Sequence, residues 1–300
     1  MRVFVVGNVA LDETLLLADW PRPGASVFGR ALSSDLGGKG ANQAVAMARA
    51  GLDVSLTAAV GCDGRAQTLR GRLASEAVGA RLIGRPDLAT DTSLVMTCGA
   101  ENMIVTTVAC AESVTPAEAA AALDEARPGD LAVLQGNLTE AATAAVLEAA
   151  RARGIVSAFN PSPLRPAFAG LAGRAGIVFV NAGEAEALTG RTGAAAAAAL
   201  AARGAGTVVL TLGAEGALLV TGGAAGARFV PAVPAQAADT TGAGDCFMAT
   251  VLASALRRGG QPDEQALRHG AMAAAIAVSR PGTCAAFPDA ATMAAILATP

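Results

Sequence analysis

At 300 residues with a formal net charge of −3, the chain is 53% hydrophobic and only 16% charged, which suits a large buried core and excludes a disordered chain. No basic run exceeds Arg257-Arg258, and 3% aromatic residues without a single tyrosine leave few platforms for stacking bases, so nucleic acid is excluded as the main partner. The cysteines at 62, 98, 110, 246 and 284 form no CxxC and no pairing pattern and read as reduced thiols, mostly of the core. Met1 to Ala10 is apolar but has no basic flank or cleavage site and reads as a strand. The alanine run at 194–199 is too short to span a membrane, so no membrane partner and a cytoplasmic location are expected.

The chain opens with a buried strand, Val3 to Val6, ending at Gly7-Asn8. Short apolar pieces at Thr14–Leu17 and Ser26–Leu32 flank Pro21-Arg22-Pro23-Gly24 and read as a small antiparallel flap. Gly37-Gly38-Lys39-Gly40-Ala41-Asn42 leads a helix to Ala50, with Gly51 as its stop. Strand Val54–Val60 and helix Asp63–Ala77 follow. Ser93–Cys98 and Met103–Val108, joined by Gly99-Ala100-Glu101-Asn102, read as a hairpin that adds to the flap, so that 12–36 and 92–109 together form a lid.

Strand then alternates with helix. Leu131–Leu134 precedes helix Glu140–Arg153, Ile155–Phe159 stops at Asn160-Pro161, and Ile177–Val180 runs into Asn181-Ala182-Gly183-Glu184. Helix Ala194–Arg203 leads to strand Val208–Leu212 and a meander (Gly216–Val220, Arg228–Val230). Helices at 245–258, 263–279 and 289–297 close the chain. This order predicts an α/β fold: a three-layer, doubly wound, mostly parallel sheet with helices on both faces, plus the small β lid, as a single domain over 1–300. Ligands of such sheets sit beyond the carboxyl ends of the strands, where the polar motifs fall.

Gly242-Ala243-Gly244-Asp245 is the densest of these motifs. Small residues let backbone N–H groups approach a ligand, and the helix that follows presents its N-terminus to an anion. On the residues alone, Asp245 is either a helix N-cap or a general base beside a cradle for a transferred phosphoryl group. A Walker A loop is excluded because Gly38-Lys39 is followed by Gly40 rather than Ser or Thr, and a dinucleotide fingerprint is excluded because Gly7-Asn8-Val9-Ala10 does not supply it.

The chain resembles the ribokinase-like (PfkB) carbohydrate kinases nearly end to end. Gly37-Gly38-Lys39-Gly40-Ala41-Asn42-Gln43-Ala44 resembles the family's N-terminal signature and Asp239-Thr240-Thr241-Gly242-Ala243-Gly244-Asp245 its C-terminal one. Asn160-Pro161, Asn181-Ala182-Gly183-Glu184 and Thr211-Leu212-Gly213 lie between them in the family's order. The resemblance implies an enzyme that transfers the γ-phosphoryl of MgATP to a sugar hydroxyl, pentoses such as ribose first. A nucleoside kinase is the alternative, since Gly7-Asn8 and Asp12 also resemble the opening of that branch and Trp20 and Phe28 could stack on a base. A regulator that binds without catalysis is a third reading, and Asp245 argues against it.

By the same resemblance Asp245 is the base, and Gly242, Ala243 and Gly244 form the anion hole. Asp12, Gly38, Lys39, Asn42 and Asn137 hold the sugar, Asn181, Glu184, Thr211 and Gly213 the nucleotide, and Glu184 reaches Mg²⁺ through water. Asp239 and Thr241, with the carbonyls of Ala277, Arg280 and Gly282, match a K⁺ site, although Ala286 replaces a hydroxyl found in ribokinase-type members. Ala10 and Asn137 depart from the asparagine and glutamate of those members. His269 is expected as a rim residue near the adenine, and a homodimer through the lid is expected as well.

Overall fold

The computed structural model describes residues 1–99, 101–222 and 226–300. Strand β1 (Arg2–Val6) carries four consecutive apolar side chains, all at most 3% exposed. Val3 and Val5 enter one hydrophobic core, Phe4 and Val6 a second on the opposite face. A strand buried on both faces belongs in the middle of a helix-covered parallel sheet, and β1 is found there.

In chain order β1 is followed by β2 (Ala10–Leu17), β3 (Gly29–Gly37), α1 (Lys39–Arg49), β4 (Asp53–Gly61), α2 (Gly64–Ala74) and β5 (Val78–Arg85). Next come β6 (Thr92–Cys98), β7 (Glu101–Thr106), α3 (Ala109–Glu112), α4 (Pro116–Ala121), β8 (Leu131–Gln135), α5 (Glu140–Ala152), β9 (Val156–Asn160) and α6 (Phe168–Ala172). Then β10 (Ile177–Asn181), α7 (Ala182–Thr189), α8 (Gly193–Ala202), β11 (Thr207–Thr211), β12 (Gly216–Thr221) and β13 (Arg228–Pro231) lead to α9 (Ala243–Arg257), α10 (Glu264–Val278) and α11 (Ala290–Leu297).

Among the described residues, nine strands form one sheet in the order β13-β12-β11-β10-β9-β8-β1-β4-β5. All neighbours from β11 to β5 pair in parallel, and β12 runs antiparallel to both of its neighbours. Residues of α1, α2, α9, α10 and α11 pack in the core on one face, and residues of α4, α5, α7 and α8 pack in the core on the other. This is the three-layer, mostly parallel architecture that the alternation of strand and helix predicts.

A second sheet, β3-β2-β6-β7, stands apart from the first. Its strands span 10–37 and 92–106, close to the expected lid, and Cys98 pairs with Glu101 across the β6–β7 hairpin; Ala100 in that turn lies outside the described residues. Strand β5 is not foreseen by the pattern: two glycines and two arginines break its periodicity, and it pairs only with β4, at the sheet's edge. The short helices α3, α4 and α6 are likewise absent from the sequence-based expectation.

The parallel strands end in register. Gln135 at the end of β8 faces Asn160 at the end of β9, and Asn181 at the end of β10 faces Thr211 at the end of β11. Residues from these four stretches therefore meet along one carboxyl edge.

Candidate active site

Asp12 lies on β2, at the junction of sheet and lid, and is 5% exposed. Its carboxyl group packs over Gly37 on the paired strand β3, where any Cβ would collide with it. Oδ2 accepts a bond from the Thr283 hydroxyl at 2.9 Å, while Oδ1 is buried without a partner. Burial pushes this carboxyl up to about 6; the nearby charges of Asp35 and Asp245 add to the rise, and the Thr283 hydroxyl opposes it. Asp35 Oδ2 in turn accepts the backbone amides of Thr283 at 3.1 Å and Ala285 at 3.0 Å, fastening the C-terminal segment to the lid.

Asp245 sits in the first turn of α9 and is 4% exposed. It does not cap the helix. The N-cap is Gly242, whose φ of 73° is a left-handed conformation that glycine adopts without strain, and no side chain caps the turn. The Asp245 carboxylate turns toward α1 instead: Asn42 Nδ2 donates to Oδ2 at 2.9 Å and Gln43 Nε2 to Oδ1 at 2.9 Å. Lys39 Nζ stands 3.9 Å from Oδ1. Behind Gln43, Gln135 Nε2 donates to Gln43 Oε1 at 2.7 Å, so a buried chain of two amides leads from the end of β8 to the carboxylate. Asn137, just past β8, is buried with its Oδ1 unpartnered. Uncapped amides of α9 beside a pinned carboxylate suit stabilisation of a transferred anion next to a proton acceptor.

On the other side of Ala243 and Gly244 a cleft of about 440 Å³ opens, and Thr211, Gly213, Pro234 and Ala271 are among its walls. Asn181 and Glu184 stand at the start of α7, where they cap one another: Asn181 N donates to Glu184 Oε2 at 2.9 Å and Glu184 N to Asn181 Oδ1 at 2.8 Å. Asp239 accepts from Thr241 N at 2.9 Å and Gly282 N at 3.1 Å, drawing two loops together, and the Thr241 hydroxyl beside it is buried without a partner. The Ala277 carbonyl receives Arg280 N at 3.3 Å, and Ala286 is fully buried.

His269 is not a rim residue. It is buried on α10, with Nδ1 2.8 Å from Ser254 Oγ and Nε2 3.0 Å from the Thr299 carbonyl, tying α9 to the chain's last residues. Trp20 donates to Glu101 across the lid at 3.0 Å, and Phe28 is fully exposed. Among the described residues no helix is long and apolar enough to cross a membrane, and no cluster of three or more His, Cys, Asp or Glu could hold a metal.

The sequence profile described as "pfkB family carbohydrate kinase" matches residues 2–290. The chain belongs to this family. Members are carbohydrate kinases, phosphotransferases with an alcohol group as acceptor, and this chain is an ATP-dependent sugar kinase. It is similar to the ribokinase of Mus musculus, 30% identical over 301 residues that cover 95% of this chain and 91% of that protein. It is also similar to the deoxyribokinase of Salmonella typhimurium, 27% identical over 298 residues covering 96% of each. The ribokinase of Cryptococcus neoformans var. grubii serotype A, solved in complex with ADP, superposes with a TM-score of 0.82 at 30% identity, covering 97% of this chain and 98% of that one.

In this sugar kinase, four polar residues at the site escape a reading by motif. Gln43 lies inside the quoted N-terminal signature and one place from Asn42, so adjacency could have marked it. Gln135 stands two residues before Asn137 at a strand end, a weaker signal. Asp35 and Thr283 carry none, because their partners lie some 250 and 270 residues away in sequence.

Proposed function

We propose that this kinase transfers the γ-phosphoryl group of MgATP to a primary hydroxyl of a pentose such as ribose, with Asp245 as general base. The observation that carries this reading is the Asp245 carboxylate, held on both oxygens by amide donors where the sugar-side pocket meets the uncapped start of α9. From that position it can accept the proton of a hydroxyl attacking phosphorus. The N–H groups of Gly242, Ala243 and Gly244 stabilise charge developing on the transferred group. Lys39 adds positive charge beside the base, and Asp12, Gly38, Asn42 and Asn137 hold the sugar.

Thr211 and Gly213, at the cleft's wall, support nucleotide binding there. Asn181 and Glu184 fit a role toward Mg²⁺ through water: at one helix start, with Asn181 exposed and Glu184 half-buried, they offer a single carboxylate, so most of the ion's ligands come from phosphates and solvent. Bound Mg²⁺ neutralises phosphate charge. Asp239, the Thr241 hydroxyl and carbonyl, and the carbonyls of Ala277, Arg280 and Gly282 form an oxygen-rich set suited to K⁺, with the unpartnered Thr241 oxygen the clearest sign of room for a ligand. A homodimer through the lid is supported by its exposed apolar residues, Val27, Leu32, Met103, Ile104 and Val105.

A coupled assay of ADP release over pentoses, hexoses and nucleosides tests the reading. Turnover with ribose or a close pentose is the expected result, and turnover with nucleosides alone would replace it by the nucleoside alternative.

A further inference from the structure

Gly136 and Asn137 lead the chain away from the end of β8, and both backbone groups of Gly136 are claimed by the segment that follows β9. The Gly136 amide donates to the Ser162 carbonyl at 2.9 Å, and the Gly136 carbonyl accepts Arg165 Nε at 3.3 Å. No side chain would fit at this glycine, because a Cβ would collide with the Pro163 carbonyl. The Gly136 carbonyl belongs to the planar peptide group that enters Asn137, so the Arg165 bond fixes the plane from which the Asn137 side chain departs. Asn137 is 4% exposed, and its Oδ1 has no partner.

The same guanidinium reaches the base of the lid. Arg165 Nη2 donates to Glu112 Oε1 at 2.6 Å, and Glu112 is the last residue of α3, the short helix after β7. The Asp91 carboxylate anchors that helix by accepting the amides of Cys110 at 3.2 Å and Ala111 at 2.9 Å. The Asp91 carbonyl accepts Leu11 N at 3.1 Å, and Leu11 precedes Asp12, which likewise keeps a buried oxygen without a partner. A run of bonds therefore joins the peptide before Asn137 to the residue before Asp12, with the Arg165–Glu112 pair in its middle. The two side chains of that pair are 27% and 41% exposed. An ion pair so open to water adds little to stability, so what it contributes is placement.

We infer that Arg165 is a positioning residue for sugar binding: with Glu112 it holds Asn137 in a set relation to Asp12. The inference rests on the reading of Asp12 and Asn137 as sugar ligands. Without the guanidinium the peptide entering Asn137 loses its donor, and the sugar must order that peptide as it binds, at the expense of affinity. None of these bonds involves the walls of the nucleotide cleft, so ATP is indifferent to them.

Titrating D-ribose without nucleotide, and ATP without sugar, separates this role from general loosening. Arg165→Ala should weaken ribose roughly tenfold and leave ATP affinity and the melting temperature nearly unchanged. Arg165→Lys keeps a charge beside Glu112 but has no fork to span both acceptors, and its ribose affinity should lie between the two. Glu112→Ala should weaken ribose about threefold alone and add nothing to Arg165→Ala, because Glu112 acts through the guanidinium. Wild-type ribose affinity in Arg165→Ala overturns the inference, and so does a parallel loss of ribose and ATP affinity. A full Glu112→Ala effect on top of Arg165→Ala overturns it as well. Asn137→Leu tests the reading beneath: unchanged ribose affinity there removes Asn137 from the sugar site, and this inference with it. A loss in Asn137→Leu beside an unaffected Arg165→Ala overturns the positioning role alone.

Discussion

Gln43 Nε2 lies 2.9 Å from Asp245 Oδ1, and its own Oε1 receives Gln135, so the orientation of the Gln43 amide is fixed at both ends. Reversing that amide would set an oxygen against the carboxylate. The charge on Asp245 and the polarity of the amide chain therefore support each other. Gln43→Met keeps the volume and removes the bond, and should lower kcat roughly tenfold with a smaller change in KM for sugar, because a hydrogen bond to a charged group is worth about 1.5–3 kcal/mol. It also orphans Gln135. The melting temperature of Gln43→Met/Gln135→Met should accordingly lie above the additive expectation from the single variants. Strict additivity would mean that the two amides do not act as a unit.

Asp245→Asn preserves shape and removes the proton acceptor. General-base catalysis supplies roughly a hundred- to ten-thousand-fold, so kcat should fall by that range while nucleotide binding, followed by titration, persists. Turnover at the wild-type rate would take Asp245 out of the mechanism.

Asp12 predicts a pH dependence with a definite sign. Its carboxyl is raised from 3.8 to about 6 in the folded protein, chiefly by burial, so the folded state binds its proton more tightly than the unfolded chain does. The associated stability is fully present below pH 3.8 and is lost as pH rises through about 6. Asp12→Asn carries no charge to bury, and the sugar-free variant should be more stable than wild type by about 3 kcal/mol at pH 8, with the gap closing toward pH 4. The same variant should raise KM for sugar sharply. Denaturant melts at the two pH values check the first statement and initial rates the second. A gap that widens on acidification would contradict the sign.

For the cation loop, wild type should turn over faster in K⁺ than in tetramethylammonium, which is too large to enter a ring of carbonyls. Asp239→Asn should remove the difference. Equal wild-type rates in both salts would mean that the Asp239 bonds to Thr241 and Gly282 order the loop without an ion.

Ile104→Glu places a charge among the exposed apolar residues of strand β7. If a second copy covers that strand, sedimentation velocity should show a dimer for wild type and a monomer for the variant. Monomeric wild type at high concentration would end the lid-dimer proposal.

The sequence-based reading worked where chemistry follows local order. Strand–helix alternation set the three layers, and the glycine-flanked motifs fell at strand ends because small residues are needed there for close approach. It did less well where meaning depends on distant partners. Whether Asp245 caps its helix was open until Gly242 proved to be the N-cap, and the carboxylate's actual partners lie about two hundred residues upstream. His269 has a polar ring but pairs with Ser254 and a C-terminal carbonyl, a structural use no periodicity announces. Strand β5 was missed because an edge strand, covered on one side only, does not need the continuous apolar run that marks β1 and β8.

The stitching of residues 282–285 to the N-terminal third also bears on how the enzyme comes into being. Asp12 meets Thr283, Asn42 meets Cys284, and Arg49 on α1 holds the Cys284 carbonyl at 2.9 Å. The lid and α1 leave the ribosome long before this segment does, so the candidate sugar pocket is completed late in synthesis, after the rest of its wall is in place. A chain cut short before residue 282 leaves Asp12 and Asp35 without these donors and carries an open site.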